Sequence, residues 1–229
     1  MVRIIAASFL AAGLLSLEHG AAASTIVYPG TGFAIPDNSA GGSSSSIIVP
    51  DGGALTNVSI TLTFSPNHTW VGDLIATLSR DGTPVDLVRR IGKTSAASGL
   101  GDNSNVAGPY TFVDAGPGDF AAAAAAIGDT TTVPAGSYFA STNDFTGVVA
   151  TTNPSTSLNG AFGGLDRAAT WTLFISDNAI VDTGSVSSWS LSLTTQDEVA
   201  AVPEPSTMFL AALGLVGFGL VALRRRRMR

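Results

Sequence analysis

Apolar and polar side chains alternate along the segment Val58-Ser59-Ile60-Thr61-Leu62-Thr63-Phe64-Ser65. Successive side chains of a β-strand point to opposite faces of the sheet, so this period of two residues gathers the apolar side chains on one face. The segment therefore predicts a strand with one face buried against a core and the other face exposed.

The same alternation recurs at residues 74–79 and 171–176, and residues 186–193 form a Ser/Thr-rich segment with apolar side chains at Val186, Trp189, Leu191 and Leu193. Trp171 and Trp189 fall on the apolar faces of the last two segments. We therefore expect these segments to be strands and both tryptophans to be buried between them in the core.

Turn signals separate the predicted strands. Residues 84–88 follow the turn sequence Asp81-Gly82, which predicts a hairpin with the strand before it. Short strands with regular turn signals are typical of antiparallel sandwiches. We expect an all-β fold, a jelly-roll-like antiparallel β-sandwich.

Two regions predict less regular structure. Residues 24–45 are rich in Gly, Ser and Pro and predict loops, and residues 92–169 are dense in Gly and Ala. The second region contains brief strand signals at 110–113, 138–139 and 148–149.

One short helix is predicted inside the second region. Asp119 precedes Phe120, six alanines and Ile127, and Gly128 follows. Asp is a good N-cap, alanine is the best helix former and glycine is a common C-cap. The alternative interpretation is a disordered low-complexity insert.

The charge of the chain is unevenly distributed. The formal net charge is −6 overall, but residues 24–202 hold five basic and fifteen acidic side chains, a net charge of −10. Such an acidic segment argues against nucleic-acid binding, which needs basic surfaces. The chain has no Cys and two His, which excludes disulfides, thiolate metal sites and sites built on a histidine cluster.

Residues 1–23 have the features of a signal peptide. Arg3 supplies positive charge, residues 4–17 are apolar, and Ala21 and Ala23 form a small-residue cleavage site. We expect signal peptidase to cleave after Ala23 and to leave Ser24 as the first residue. The alternative is an uncleaved membrane anchor.

Residues 203–229 form a tail with three parts. The motif Pro203-Glu204-Pro205 is followed by an apolar run over 206–223. A helix over this run would span about 27 Å, close to the hydrocarbon thickness of a bilayer. The run is followed by a cluster of basic residues, Arg224, Arg225, Arg226 and Arg227. Because basic clusters stay in the cytoplasm, the tail predicts one helix in the inner membrane and an acidic domain of residues 24–202 outside it.

This combination of motif, apolar helix and terminal arginines resembles the PEP-CTERM sorting signal. The resemblance implies a Gram-negative bacterium that makes exopolysaccharide. It also implies recognition by exosortase, a membrane cysteine-dependent transpeptidase, with processing near Pro203-Glu204-Pro205. The alternative is an ordinary tail anchor.

A second resemblance is carried by three segments of the central region. They are Ile35-Pro36-Asp37-Asn38, His68-Thr69-Trp70-Val71-Gly72-Asp73-Leu74, and Trp171-Thr172-Leu173-Phe174-Ile175-Ser176-Asp177-Asn178 continuing to Asp182-Thr183-Gly184 and Trp189-Ser190-Leu191-Ser192-Leu193. Their order and spacing resemble the P domain (P/Homo B) of proprotein convertases, over roughly residues 33–195. The resemblance implies a jelly-roll β-sandwich, which in convertases lies beside a subtilisin-like catalytic domain and stabilises it.

Catalysis by this chain alone is not expected. A subtilisin-type triad needs a far larger α/β domain, and no βαβ pattern is present. His68 is the only histidine outside the signal peptide, and we expect a structural or surface imidazole. The segment Ile180-Val181-Asp182-Thr183-Gly184-Ser185 matches an aspartic-protease signature, but that chemistry needs two such carboxylates and only a symmetric dimer would supply them. Asp182-Thr183-Gly184 is instead predicted to be the turn between the last two strands.

Acidic and amide side chains stand at the predicted strand ends. They are Asp37, Asp73, Asp177, Asn178 and Asp182. Hard oxygen ligands of this kind suit Ca²⁺, and the P-domain resemblance also implies calcium. We expect Asp37, Asp73 and Asp177 to converge at one end of the sandwich. The alternative is that these residues only cap turns.

The sequence as a whole predicts an exported, non-catalytic β-sandwich protein. It would be delivered to the cell surface or extracellular matrix, where it binds a ligand such as exopolysaccharide or has a structural role. The alternative function is an accessory P domain that acts on a secreted subtilisin-like serine protease in another chain.

Overall fold

The structure, a computed structural model, describes residues 23–93, 100–142 and 157–196, together with Leu213. Residues Ala23–Asp197 form one compact unit. Most of the predicted signal peptide, the predicted strand at 148–149 and the predicted tail, apart from Leu213, lie outside the described residues. No helix within the described residues is long and apolar enough to cross a membrane.

The described unit consists mainly of strands. In chain order they are β1 (Ala23–Ile35), β2 (Ser39–Val49), β3 (Leu55–Phe64), β4 (Leu74–Arg80), β5 (Thr83–Arg89), β6 (Tyr110–Val113), β7 (Gly118–Asp119), β8 (Gly136–Phe139), β9 (Ser141–Thr142), β10 (Ala169–Asp177) and β11 (Gly184–Gln196). The helices are α1 (Phe120–Ile127) and α2 (Leu158–Phe162), and a 3₁₀ turn covers Val71–Asp73.

These strands form two sheets. The first has the order β1-β11-β3-β6-β8-β7, and the second has the order β2-β10-β4-β5-β9. The long strands pair in antiparallel fashion, whereas β5–β9, β6–β8 and β7–β8 are short parallel pairs. The all-β sandwich is therefore confirmed, with these parallel pairs as additions, and the jelly-roll connectivity stays a prediction.

The apolar faces of both sheets contribute to one hydrophobic core. Trp171 on β10 is 0% exposed and Trp189 on β11 is 2% exposed, which confirms their predicted burial. Phe162 of α2 packs edge-on against Trp171, with ring centroids 5.0 Å apart. The alternating segments of the sequence are thus strands because their apolar halves fill this core.

The prediction of loops over residues 24–45 is wrong, because β1 and most of β2 occupy this region. The glycines there serve close packing as well as turns. A Cβ atom at Gly30 would lie 2.0 Å from the Cε2 atom of Trp189, so only glycine lets β1 pass this ring. β1 pairs with β11 and β2 pairs with β10, and the backbone hydrogen bonds of these pairs stabilise both strands. Their residues have a low strand propensity, so the sequence alone does not predict them as strands.

The predicted hairpin and helix are both present. Asp81 and Gly82 have φ values of 47° and 86°, the left-handed conformation that a two-residue hairpin turn requires. Asp119 caps α1 by accepting hydrogen bonds from the backbone N–H groups of Ala121 and Ala122. The Ala-rich segment is therefore a helix within the unit, not a disordered insert.

Strand register gathers several connections at one end of the unit. Ala23 pairs with Gln196 at one end of the β1–β11 ladder, and Ile35 pairs with Gly184 at the other end. Asp177 pairs with Leu74 in the second sheet, at the same end as Ile35. The connections that follow β1, β3, β5 and β10 are therefore neighbours, and they hold the carboxylates that the sequence singled out.

Candidate functional site

We call this group of connections, together with Asp177 at the end of β10, the loop end; it comprises residues 36–38, 65–73, 90–92 and 177–183. Its polar side chains belong to four separate stretches of sequence, which the sheet register brings together. The predicted ligands therefore lie near one another at the loop end.

His68 is fixed at the centre of the loop end and is 0% exposed. Its backbone exchanges two hydrogen bonds with Val106, of 3.1 and 2.8 Å. The imidazole Nδ1 accepts from the backbone N–H of Trp70 at 3.3 Å, and Nε2 lies 3.1 Å from the Oδ2 atom of Asp177. This network places the ring proton on Nε2, from which it is donated to Asp177. His68 is thus a buried structural imidazole and not a surface one, which are the two roles that the sequence left open.

Asp177 ends β10 and is also 0% exposed. Its Oδ2 atom faces His68, and its Oδ1 atom accepts from the backbone N–H of Ala179 at 3.1 Å. Both carboxylate oxygens therefore have protein donors. Asp177 acts as the cap of the loop that follows β10 and as the anchor of the imidazole.

Asp73 lies beside a buried arginine. The Nη2 atom of Arg90 is 3.6 Å from the Oδ1 atom of Asp73, and the Nη1 group of Arg90 donates to the carbonyl oxygen of Asn178 at 3.0 Å. The backbone N–H of Asn178 donates to the carbonyl oxygen of Asp73 at 2.9 Å. Arg90 therefore ties the connection after β3 to the connection after β10.

Burial raises the pKa of the Asp73 carboxyl from 3.8 to about 6. Arg90 opposes this rise in pKa, the neighbouring carboxylates of Asp177 and Asp182 add to it, and His68 opposes it. The three carboxylates are thus close enough to interact electrostatically, and the protein supplies its own cationic partner in Arg90.

The two remaining predicted carboxylates hold the loop after β10. The hydroxyl of Thr69 donates to the Oδ1 atom of Asp182, and the Oδ2 atom of Asp37 accepts from the backbone N–H of Val181 at 3.3 Å. Val181 has a φ of 93°, which is rare for a β-branched residue, and its side chain is 80% exposed. Asp37 and Asp182 therefore brace a strained backbone at the tip of this loop.

The predicted calcium ligands can be compared with this geometry. The structure brings Asp73, Asp177 and Asp182 together, and Asp37 joins them through Val181. The amide of Asn178 donates to the carbonyl oxygen of Asp73 and the hydroxyl of Ser176, so its nitrogen is directed inward. Within the described residues, no group of three or more His, Cys, Asp or Glu side chains is arranged to hold a metal ion. The described contacts of these side chains are with protein groups, and calcium binding stays a prediction.

Arg90 is the member of the constellation that the sequence did not single out. It directly follows β5 and has a φ of 44°. The available signal was the pair Arg89-Arg90 at the end of an apolar strand, in a domain with few basic residues. Arg89 instead donates to the carboxylate of Asp86, with nitrogen–oxygen distances of 2.7 and 3.1 Å.

The connection between β10 and β11 contains the predicted turn. Asp182 and Thr183 lie in it, and Gly184 begins β11. A Cβ atom at Gly184 would lie 2.8 Å from the Cβ atom of His68, so the glycine of this motif makes room for the imidazole. This packing gives the glycine of the aspartic-protease-like sequence a structural reason.

The processing sites lie at the edges of the described unit. Ala21 and the sorting residues Pro203, Glu204, Pro205 and Arg224 to Arg227 are outside the described residues. Ala23 and Ser24 are the first residues of β1. The predicted signal cleavage therefore falls at the start of the first strand.

Comparison with protein families identifies the tail. Residues 201–227 match the PEP-CTERM protein-sorting motif. This match includes Pro203-Glu204-Pro205 and Arg224 to Arg227, the residues on which the sequence prediction rested. The motif implies exosortase-dependent export toward the cell surface.

The other comparisons concern the whole chain. No curated protein matches this sequence. The solved structures that resemble the fold include the complex of Aeromonas sobria serine protease and the chaperone, with a TM-score of 0.41 and 15% identity, over 76% of this chain and 27% of that chain. The serine protease of Aeromonas sobria by itself gives a TM-score of 0.39 and 14% identity, over 76% and 27% of the two chains. This chain therefore spans about a quarter of the length of those chains, and a likeness this weak carries no argument about function.

Proposed function

We propose that this chain is an exported, non-catalytic β-sandwich protein that exosortase sorts to the cell surface or extracellular matrix, where it has a binding or structural role. The match of residues 201–227 to the sorting motif carries this proposal. The motif follows a compact β-sandwich unit, Ala23–Asp197, which is the part of the chain that sorting would deliver.

The absence of catalysis is supported by the state of the titratable groups at the loop end. Both nitrogens of His68 are engaged, and Asp177 is fully buried with both oxygens bonded. General acid–base catalysis needs a group that reaches the substrate. These side chains stabilise the loops, which is a structural role.

The sorting proposal is tested by changing the motif in the full chain. The protein is produced in an exopolysaccharide-forming Gram-negative host, and Pro203-Glu204-Pro205 is replaced by three alanines. We expect the altered chain to remain at full tail length in the inner membrane, while the unaltered chain is shortened and reaches the surface. Immunoblots of membrane, surface and medium fractions measure both properties.

Two controls complete this experiment. Pro84→Ala replaces an exposed proline outside the motif and should leave processing unchanged. Deletion of the host exosortase should reproduce the defect of the alanine variant. Processing and surface delivery of the alanine variant at the unaltered rate would show that the proposal is wrong.

The accessory role beside a serine protease stays a prediction from the P-domain resemblance. A direct test uses the full chain as bait for the secreted proteins and the exopolysaccharide of the producing strain. Retention of a subtilisin-like protease would favour the accessory role, and retention of polysaccharide would favour the matrix role.

A further inference from the structure

The outer side of β2 is an open edge of the second sheet. β2 is the first strand in the order β2-β10-β4-β5-β9, and no other described strand pairs with its outer side. An open edge presents unpaired backbone N–H and C=O groups, which can pair with another strand.

Hydrogen bonds of the neighbouring strand identify the free groups of β2. The backbone N–H of Asp81 donates to the carbonyl of Thr170, so the backbone groups of Thr170 point toward β4. The backbone N–H and C=O groups of successive residues point alternately to the two sides of a strand. Those of Trp171 and Leu173 therefore point toward β2, where the two residues pair with Ile47 and Ser45. The outward-facing groups of β2 are therefore those of the intervening residues Ser44, Ser46 and Ile48.

This edge lacks the usual protection against strand pairing. Natural edges are guarded by charged side chains, by proline or by bulges. Ser43–Val49 contains neither charge nor proline, and the bulge at Gly42 lies before it. The side chain of Ile48 is 77% exposed on the outer face. By contrast, β1 at the edge of the other sheet carries Pro29.

Charge favours a second copy of this chain as the occupant. Residues 24–202 have a net charge of −10, so two copies repel each other over most approaches. Residues 23–50, which include the edge strands β1 and β2, contain a single charged side chain, Asp37. Two acidic copies can therefore meet along this neutral side with the least repulsion.

The geometry of β2 is also self-complementary. With a two-fold axis at Ser46, Ser46 faces Ser46 of the second copy, and Ser44 faces Ile48 of the second copy on either side. Each of these facing pairs exchanges two backbone hydrogen bonds in an antiparallel ladder, which gives about six bonds. Such an interface uses the same strand of both copies, as closed two-fold dimers require.

We propose that two copies of this chain associate by antiparallel pairing of β2 with β2, so that their second sheets join into one continuous sheet. The proposal stands apart from the sorting function, since it rests on the strand order and on the composition of the edge. It assigns the exposed side of β2 as an interaction surface whose partner is the same strand.

Disulfide trapping in the full chain tests this pairing. The chain has no cysteine, so Ser46→Cys places a single thiol at the proposed axis. Facing residues in such a ladder have Cα atoms about 5.5 Å apart, which is within the range that a disulfide spans. The matched control is Ser188→Cys, an exposed serine on β11, which is paired on both sides with β1 and β3. In non-ionic detergent with a mild oxidant, we expect the Ser46→Cys dimer to form at least tenfold faster than the Ser188→Cys dimer.

A second pair of variants measures association without a cross-link. Ser46→Lys sets two positive charges against each other at the axis, and Ser188→Lys adds the same charge elsewhere. Light scattering of the full chain at high micromolar concentration should show a dimer for the unaltered chain and for Ser188→Lys. Ser46→Lys should be monomeric. Its melting temperature should fall only slightly, because the exposed side chain gives up one hydrogen bond, between the hydroxyls of Ser46 and Thr172 at 2.8 Å.

Three results would overturn the proposal. The first is equal cross-linking rates of the two cysteine variants. The second is a monomeric unaltered chain in the scattering experiment. The third is a dimer that persists in Ser46→Lys, which would place association in another part of the chain, such as the tail.

Discussion

Replacing Asp73 by Asn should change how the stability of the domain depends on pH. Burial raises the pKa of this carboxyl from 3.8 to about 6 in the folded state. The folded protein therefore holds this proton more tightly than the unfolded chain does. Between these two pKa values unfolding releases the proton, and the free energy of unfolding falls as the pH rises.

The size of the effect follows from the pKa shift. A difference of one pKa unit corresponds to about 1.4 kcal/mol, so a shift from 3.8 to about 6 amounts to about 3 kcal/mol. The full penalty is present above pH 6 and absent below pH 3.8. Asparagine is uncharged at every pH, so the free-energy cost of ionising a buried carboxyl is absent in this variant. The free energy of unfolding of the unaltered protein, minus that of Asp73→Asn, should thus fall by up to about 3 kcal/mol between pH 4 and pH 7.

Urea denaturation of residues 24–202, followed by tryptophan fluorescence at each pH, measures this difference. The subtraction removes most of the contribution of the other titrating groups, which both proteins share. The matched control is Asp51→Asn, which makes the same change of side chain at an exposed carboxylate. A difference for Asp73→Asn that stays constant within about 0.5 kcal/mol, or that grows with pH, would refute the reasoning.

Further predictions concern packing and calcium. Gly30→Ala should lower the free energy of unfolding by about 1–3 kcal/mol, because its Cβ atom would overlap the ring of Trp189, whereas Gly41→Ala has open space and should cost little. Trp171→Ala should cost about 3–5 kcal/mol, because this side chain is fully buried, and a smaller loss in urea denaturation would contradict the core assignment. Because Arg90 already faces the carboxylate of Asp73, millimolar CaCl₂ should leave the melting temperature unchanged. A calcium-dependent rise that Asp73→Ala abolishes would instead establish the site that the sequence predicted.

The predictable part of the fold is the part whose pattern is set by burial. The strands at 55–64, 74–80 and 169–177 alternate because one side of each contacts the core, and that alternation is visible in the sequence. The short helix was equally visible, since Asp119, the alanines and Gly128 each favour it locally.

β1 and β2 could not be predicted because the interactions that stabilise them come from residues far away in the sequence. Glycine and serine have low strand propensity, and these strands form because distant strands pair with them. The need for Gly30 is visible only once Trp189, far along the chain, is placed against it.

Only part of the loop end could be predicted, because its contacts also join residues that are far apart in the sequence. Asp and Asn beside turns can be identified in the sequence, but their partners cannot. His68 and Asp177 are 109 positions apart, and the arginine that faces Asp73 comes from the end of another strand. The carboxylates are thus visible in the sequence, whereas the hydrogen bonds and the ion pair that they form are visible only in the structure.

The β1–β11 ladder fixes where the chain enters and leaves the unit. Ala23 and Gln196 face each other at one end of the ladder, so the two points where the chain enters and leaves the unit are side by side. The loop end lies at the opposite end, beyond Ile35 and Gly184, and thirteen residues of strand span about 40 Å. A load applied to the chain at Gln196 would therefore enter the unit at the end of the β1–β11 ladder farthest from the loop end, and the hydrogen bonds around His68 and Asp73 would be the last to feel it.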